Sequence, residues 1–331
     1  MTNKRNAKII ASGMMVPEQV VPNSYFNELL GMDVDTWLRE NVQIFERRWA
    51  EEGAAISDLI VGACEKALNK ANLKPEDIDL LIVATDTPEY ISPSTASIVQ
   101  DKMQLVNAGT FDINTACAGF VTALDTGAKF IQADEQYKYV LVVGAYMMSK
   151  FLNLHDKKTV NLFADGAGAV VLKAVNDGSG MLQSQLRTKG EFNEWMGIYG
   201  GGSKNPASQE VLDKGLEKLQ FVKKIPTEIN PTVWTEMIRE VCHKEGVEVN
   251  EVKHFFFTQI NINTIFETMD NLGIDRSRAT TVMHHYGYTG SACIPMAYSM
   301  ADEDNTINDG DLMIFMGSGG GLAFACTLFR K

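Results

Sequence analysis

Apolar positions along this chain come in short dense runs rather than long helical stripes. Residues 76–86 read EDIDLLIVATD, a polar approach followed by an apolar run too brief for a helix, which predicts a buried strand. About 170 residues later the pattern returns: residues 250–259 read NEVKHFFFTQ, again an apolar run that stops at Thr and opens into a polar, helix-starting segment. Two further pairs keep the same order. Residues 112–120 (DINTACAGF) are echoed by 284–293 (HHYGYTGSAC), each placing small residues and Gly where a strand hands over to a helix. Residues 164–172 (ADGAGAVVL) are echoed by 317–328 (GSGGGLAFACTL), glycines leading into a strand of small and β-branched residues. Strand–turn–helix units resemble one another in any α/β protein, but a series of matches in one order predicts an internal duplication, with halves at 1–175 and 176–331.

Alternating strands and helices in each half predict parallel sheets covered on both faces, with helix layers around a shared centre. In such sheets sites form beyond the carboxyl ends of strands, here 85–89, 114–117, 258–261 and 286–290. The NDGSG at 176–180 is a turn rather than a linker, so the halves are expected to move as one body.

Composition narrows the partners. With 331 residues and 45% hydrophobic content the chain can bury a large core. Its longest apolar run, 139–148, is about half a membrane span, and the N-terminus carries Lys4, Arg5 and Lys8 without an export signal's apolar core. A formal charge of −12 and no basic stripe argue against nucleic acid and anionic membranes. Five widely spaced cysteines without a CxxC pair predict neither a disulfide framework nor a zinc site, and fit a reducing cytoplasm.

Cys117 is the chemical candidate. It lies between an expected strand at 110–113 and a helix running through Val121, Leu124, Ala128 and Ile131, where the positive end of the helix dipole favours a thiolate. Cys64, Cys242, Cys293 and Cys326 sit in ordinary packing patterns. Gly319-Gly320-Gly321, after an expected strand at 312–316, offers backbone N–H groups for the oxyanion of a tetrahedral intermediate. FADGAGA lacks dinucleotide-site spacing, and the methionine pairs at 14–15 and 147–148 are read as core filling.

DINTACAGF, NLFADGAGAVVL at 161–172 and the C-terminal GSGGGLAFACTLFR together resemble β-ketoacyl-acyl carrier protein synthase III of the thiolase superfamily, as do TWLRENVQIFERRW (36–49) and SPSTASIVQDKM (92–103). The resemblance runs end to end. It implies an α/β thiolase-like αβαβα five-layered fold and a homodimer with a joined central sheet. It also implies Cys117 as acyl acceptor, the N–H groups of Cys117 and Gly320 as oxyanion hole, and a pantetheine tunnel with Trp37, Phe163, Arg47 and Asn261 as substrate contacts. Acyl-coenzyme A or acyl carrier protein is then substrate and partner, with no tightly bound cofactor and no metal.

The departures are specific. Where the family carries His-Gln-Ala-Asn, whose His stabilises the enolate of malonyl decarboxylation, this chain has Thr258-Gln259-Ile260-Asn261; where the family has Gly-Asn-Thr it has Gly287-Tyr288-Thr289. Asn41 and Phe45 replace two coenzyme A arginines while Arg47 and Arg48 remain, and Asn263 replaces a basic carrier-protein contact. Tyr288 and, more weakly, Thr258 are candidate hydrogen-bond donors, and His285 a candidate proton carrier. Asp86 and Glu89 sit where a carboxylate resembles the general acid of hydroxymethylglutaryl-CoA synthases; solvated loop charges are the plainer reading. Acyl capture on Cys117 is the leading function, followed by malonyl condensation. The alternatives are acyl transfer to a small molecule without decarboxylation, and a degenerate scaffold subunit.

Overall fold

The computed structural model describes residues 4–331. One sheet contains β1 (Asn6–Met15), β2 (Leu80–Ala84), β3 (Gly109–Ile113), β4 (Tyr139–Met147) and β5 (Asp165–Val175), in the order β1-β5-β4-β2-β3. The other contains β6 (Gly180–Thr188), β7 (Val252–Phe257), β8 (Leu312–Gly319) and β9 (Ala323–Arg330), in the order β7-β8-β9-β6. The orders are the same once β6 is matched to β1. Ala279 completes the match by bridging Phe255 of β7 in parallel, in the place that β3 takes beside β2.

The sheets are mixed, which corrects the expectation of parallel ones. β2 runs parallel to β3 and β4, and β7 to β8, but β5 and β1, like β9 and β6, are antiparallel. The cause lies in the glycine-led strands. β9 follows β8 through a tight hairpin whose register pairs Gly319 with Ala323, and no crossover helix separates β4 from β5. A strand that returns without a crossover pairs antiparallel.

Helices α1 (Ile56–Ala71) and α2 (Thr95–Met103) cover the outer face of the first sheet. Helix α4 (Ile229–Glu245) covers the second, with α5 (Ile262–Leu272) packed beside it. Helices α3 (Gly119–Ala133) and α6 (Cys293–Glu303) lie between the sheets and touch both. Five layers result. Burial against both sheets explains the wide apolar face of α3, with Phe120, Val121, Leu124, Ala128 and Ile131 all buried and one polar stripe left through Thr122, Thr126 and Lys129. No helix among the described residues is long and apolar enough to cross a membrane.

The middle of the molecule is set by close backbone contacts. A Cβ on Gly144 of β4 would meet the Ser291 carbonyl at 2.2 Å, and one on Gly317 of β8 would meet the Ala118 Cα at 2.9 Å. Each central helix thus starts against a glycine in the opposite half. Ser291 strengthens one seat, its hydroxyl donating to the carbonyls of Ala84 (3.1 Å) and Ala145 (2.7 Å).

Gly144→Ala should therefore cost about 2–3 kcal/mol of stability by forcing the helix start off the sheet. Gly190→Ala, at an exposed site with nothing within 4 Å, should stay within about 0.5 kcal/mol. Urea denaturation of the two variants checks both.

Candidate active site

Strand β3 ends at Ile113 and the chain turns tightly before α3. The Asn114 Oδ1 accepts from the Ala116 N–H at 3.0 Å, Ala118 N–H donates to Thr115 O at 3.1 Å, and Gly119 N–H donates to Ala116 O at 2.8 Å. Ala116 adopts a left-handed φ of 47°, a conformation costing about 1–2 kcal/mol for a residue with a Cβ. The second glycine turn closes over this one. A Cβ on Gly319 would meet the Cys117 nitrogen at 2.6 Å, so only glycine lets the end of β8 lie against the cysteine. This strand runs to Gly319, three residues beyond the expected 316.

A cavity of about 270 Å³ opens at this junction. Cys117, Asp86, Tyr146, Phe163, Tyr199 and Gly320 line it, with Met148, Met196, Ile198 and Leu219 adding apolar wall. Of the five cysteines, all free and all buried, Cys117 is the one on this cavity. Burial pushes its thiol well above the ordinary range, the neighbouring Asp86 charge pushes it further, and a hydrogen bond from the Tyr288 hydroxyl to the ionised sulfur opposes them. The expected thiolate is thus corrected to a resting thiol. Desolvation outweighs the dipole because the sulfur precedes the first helical residue and is sealed from water.

Asp86 is not a solvated loop charge. Its loop is fixed by Thr87, whose N–H donates to Thr85 Oγ1 (3.0 Å) and whose Oγ1 accepts from the Met147 N–H (2.9 Å). The Asp86 Oδ1 is sealed from solvent without a protein donor, and burial raises the carboxyl to about 6. Glu89, three residues on, turns away: its Oε2 accepts from the Ser57 N–H at the start of α1.

Tyr288 is buried beside Phe163, their rings 5.3 Å apart, because the two segments pair: Ala164 N–H donates to Tyr288 O and Tyr288 N–H to Leu162 O, each at 2.9 Å. Gly287, at φ 63°, permits the approach, since a Cβ there would meet the Arg47 Cβ at 2.7 Å. Tyr146 lies against Gly290 in the same way.

Other expected contacts have structural duties. Thr258 Oγ1 accepts from Ser318 N–H (2.9 Å) and donates to Ser318 O (3.4 Å), tying β7 to β8. Asn261 caps α5 by accepting from the Asn263 N–H at 3.0 Å. Arg47 is fully buried, donating to Val21 O, Asn23 Oδ1 and Asn161 O, with burial lowering its guanidinium to about 9; it is a packing cation, unavailable to coenzyme A phosphates. Trp37 is half exposed and His285 lies outward, 3.6 Å from Glu46; neither lines the cavity.

The sequence reading missed Tyr146 and the whole covering segment around Met196, Tyr199 and Leu219. Residues 196–197 and 220–221 form a two-residue ribbon, and Leu219 N–H donates to Phe151 O. Such short pairings leave no periodic signal. The clue available was aromatic residues set among glycines in 195–202.

Comparison with known proteins agrees with this layout. Residues 111–190 match the family model of 3-oxoacyl-[acyl-carrier-protein (ACP)] synthase III, and residues 242–331 match the C-terminal model of the same family. Beta-ketoacyl-[acyl-carrier-protein] synthase III of Clostridium perfringens (strain SM101 / Type A) is 36% identical over 332 residues, covering 98% of this chain and 99% of that one. Its counterpart in Desulfitobacterium hafniense (strain Y51) is 34% identical, with 97% of each chain covered. The crystal structure of 3-oxoacyl-[acyl-carrier-protein] synthase III from Aquifex aeolicus VF5 superimposes with a TM-score of 0.90 at 32% identity, over 98% of this chain and all of that one. The duplicated halves stacked in five αβαβα layers, the cysteine turn and these likenesses together place the chain in the 3-oxoacyl-[acyl-carrier-protein] synthase III family, acyltransferases of the thiolase superfamily.

Proposed function

We propose that Cys117 takes an acyl group from a coenzyme A or acyl-carrier-protein thioester, holds it as a thioester, and passes it to an acceptor. The observation that carries this reading is a thiol at the junction of two tight turns, facing a largely apolar cavity. The acyl chain lies along Phe163, Met148 and Leu219, and the N–H groups of Cys117 and Gly320 receive the oxyanion. Tyr288 assists by stabilising the thiolate against burial and the Asp86 charge. No resident cofactor is needed for these steps, and free thiols suit the cytoplasm.

The same reading makes the protein a homodimer of duplicated chains, the halves dividing at 175/176. Strand β3 is at a sheet edge with no partner on its outer side among the described residues, and Tyr90, Ile91 and Val106 are exposed nearby. An open edge beside apolar surface favours pairing with a second copy.

Intact-mass measurement after incubation with a panel of acyl-coenzyme A thioesters should find one acyl group per chain. Cys117→Ala should carry none, and Cys293→Ala should be labelled like wild type. Labelling should quicken with pH up to about 9 without a plateau, because the thiol titrates above the ordinary cysteine value. Tyr288→Phe should slow labelling at pH 7, because the hydroxyl that opposes the rise of the Cys117 thiol is lost. Sedimentation should find a dimer for wild type and a monomer for Ile91→Asp/Val106→Asp.

A further inference from the structure

The wall of the cavity beside Cys117 holds polar groups that acyl capture does not use. Asp86 Oδ1, a hydrogen-bond acceptor, and Tyr199 Oη are both sealed from solvent, and neither has a protein partner. Both residues line the cavity. A carboxylate with one oxygen buried and without a donor is held at a cost, and its other oxygen, neither sealed nor bonded within the protein, is the one a ligand's O–H or N–H can reach. Tyr199 lines the cavity from the covering segment with its ring, its Oη lying behind the wall.

The charge pattern excludes one class of acceptor. No Lys, Arg or His lines the cavity, so nothing there neutralises a second carboxylate placed next to Asp86. Thr258 has both sides of its hydroxyl engaged with Ser318 and offers no donor to an enolate. All five histidines of the chain lie off the cavity lining.

From this geometry we infer that the acceptor is a protic small molecule, an alcohol or amine whose proton is taken by Asp86, rather than a malonyl-type anion. The inference rests on the acyl-Cys117 reading and specifies its second half. The acceptor X–H gives its proton to the accessible oxygen of the Asp86 carboxylate, Oδ2, as X bonds to the acyl carbon. The bond from that carbon to the Cys117 sulfur then breaks, and the proton returns from Asp86 to the sulfur. Atoms and charge balance without any co-reactant. Asp86 is ionised above about pH 6, as a general base for this step must be.

The test loads wild type and Asp86→Asn with hexanoyl-coenzyme A, removes free thioester, and adds propylamine, propanol or malonyl-coenzyme A while intact mass is followed. Both proteins should load. Wild type should discharge to the alcohol at a rate that falls tenfold per pH unit below about 6, whereas Asp86→Asn should discharge roughly a hundredfold more slowly and without that pH limb; propylamine, itself protonated near neutrality, is compared between the two proteins at one fixed pH. Iodoacetamide should alkylate Cys117 faster in Asp86→Asn at neutral pH, since the charge opposing the thiolate is gone; a merely disordered site gives no such opposite pair of effects. Absence of loading in wild type refutes the acyl-enzyme itself. Loading followed by equal discharge in both proteins, failure of either protic probe to quicken discharge, or carbon dioxide release from malonyl-coenzyme A overturns the choice of acceptor while leaving the acyl-enzyme standing.

Discussion

The molecule depends on two backbone contacts at its centre, where the start of each inner helix rests on a glycine of the opposite half. Gly144 receives Ser291 and Gly317 receives Ala118, and the two glycines occupy equivalent places in β4 and β8. Side chains there would hold the sheets and helices apart by more than packed interiors tolerate. Because the seats are reciprocal, the halves form one body and the loops beyond their strands converge. The cavity is a consequence of that convergence: Asp86 follows β2, Cys117 follows β3, Gly320 follows β8, and Phe163 precedes β5.

Convergence also sets the electrostatics. A thiol, a carboxyl and phenols lie together in the interior, so burial disfavours the charged form of each, and neighbouring charges add to this for Cys117, Tyr146 and Tyr288. In that setting the helix dipole is the weaker influence on Cys117. What matters is which group carries charge most cheaply, and that is Asp86, with a carboxyl near 6 beside groups raised far above neutrality. A site of this kind holds one negative charge comfortably and a second one poorly.

The exchanges that distinguish this chain from its family acquire meaning in the same frame. Thr258 is absorbed into a strand-to-strand tie, and Tyr288 packs against Phe163, where its hydroxyl opposes the rise of the Cys117 thiol. Arg47, a phosphate contact by resemblance, serves as a buried peg between Asn23 and Asn161. In the proposed function acyl capture keeps its parts, while the positions that the resemblance links to decarboxylation take other duties.

Sequence alone determined the repeated order of strands and turns, the α/β duplication, the turn bearing Cys117 and the glycine turn opposite it. These rest on local chemistry: apolar runs of strand length, and glycines where backbones must come close. Only the tertiary structure decided the direction of β5 and β9, the protonation of Cys117, the separation of Asp86 from Glu89, and the cover formed by Met196 and Tyr199. Each of those depends on which distant groups share a space, as Asp86 does with Cys117, or on a loop's exit direction, and neither leaves a periodic trace in the chain.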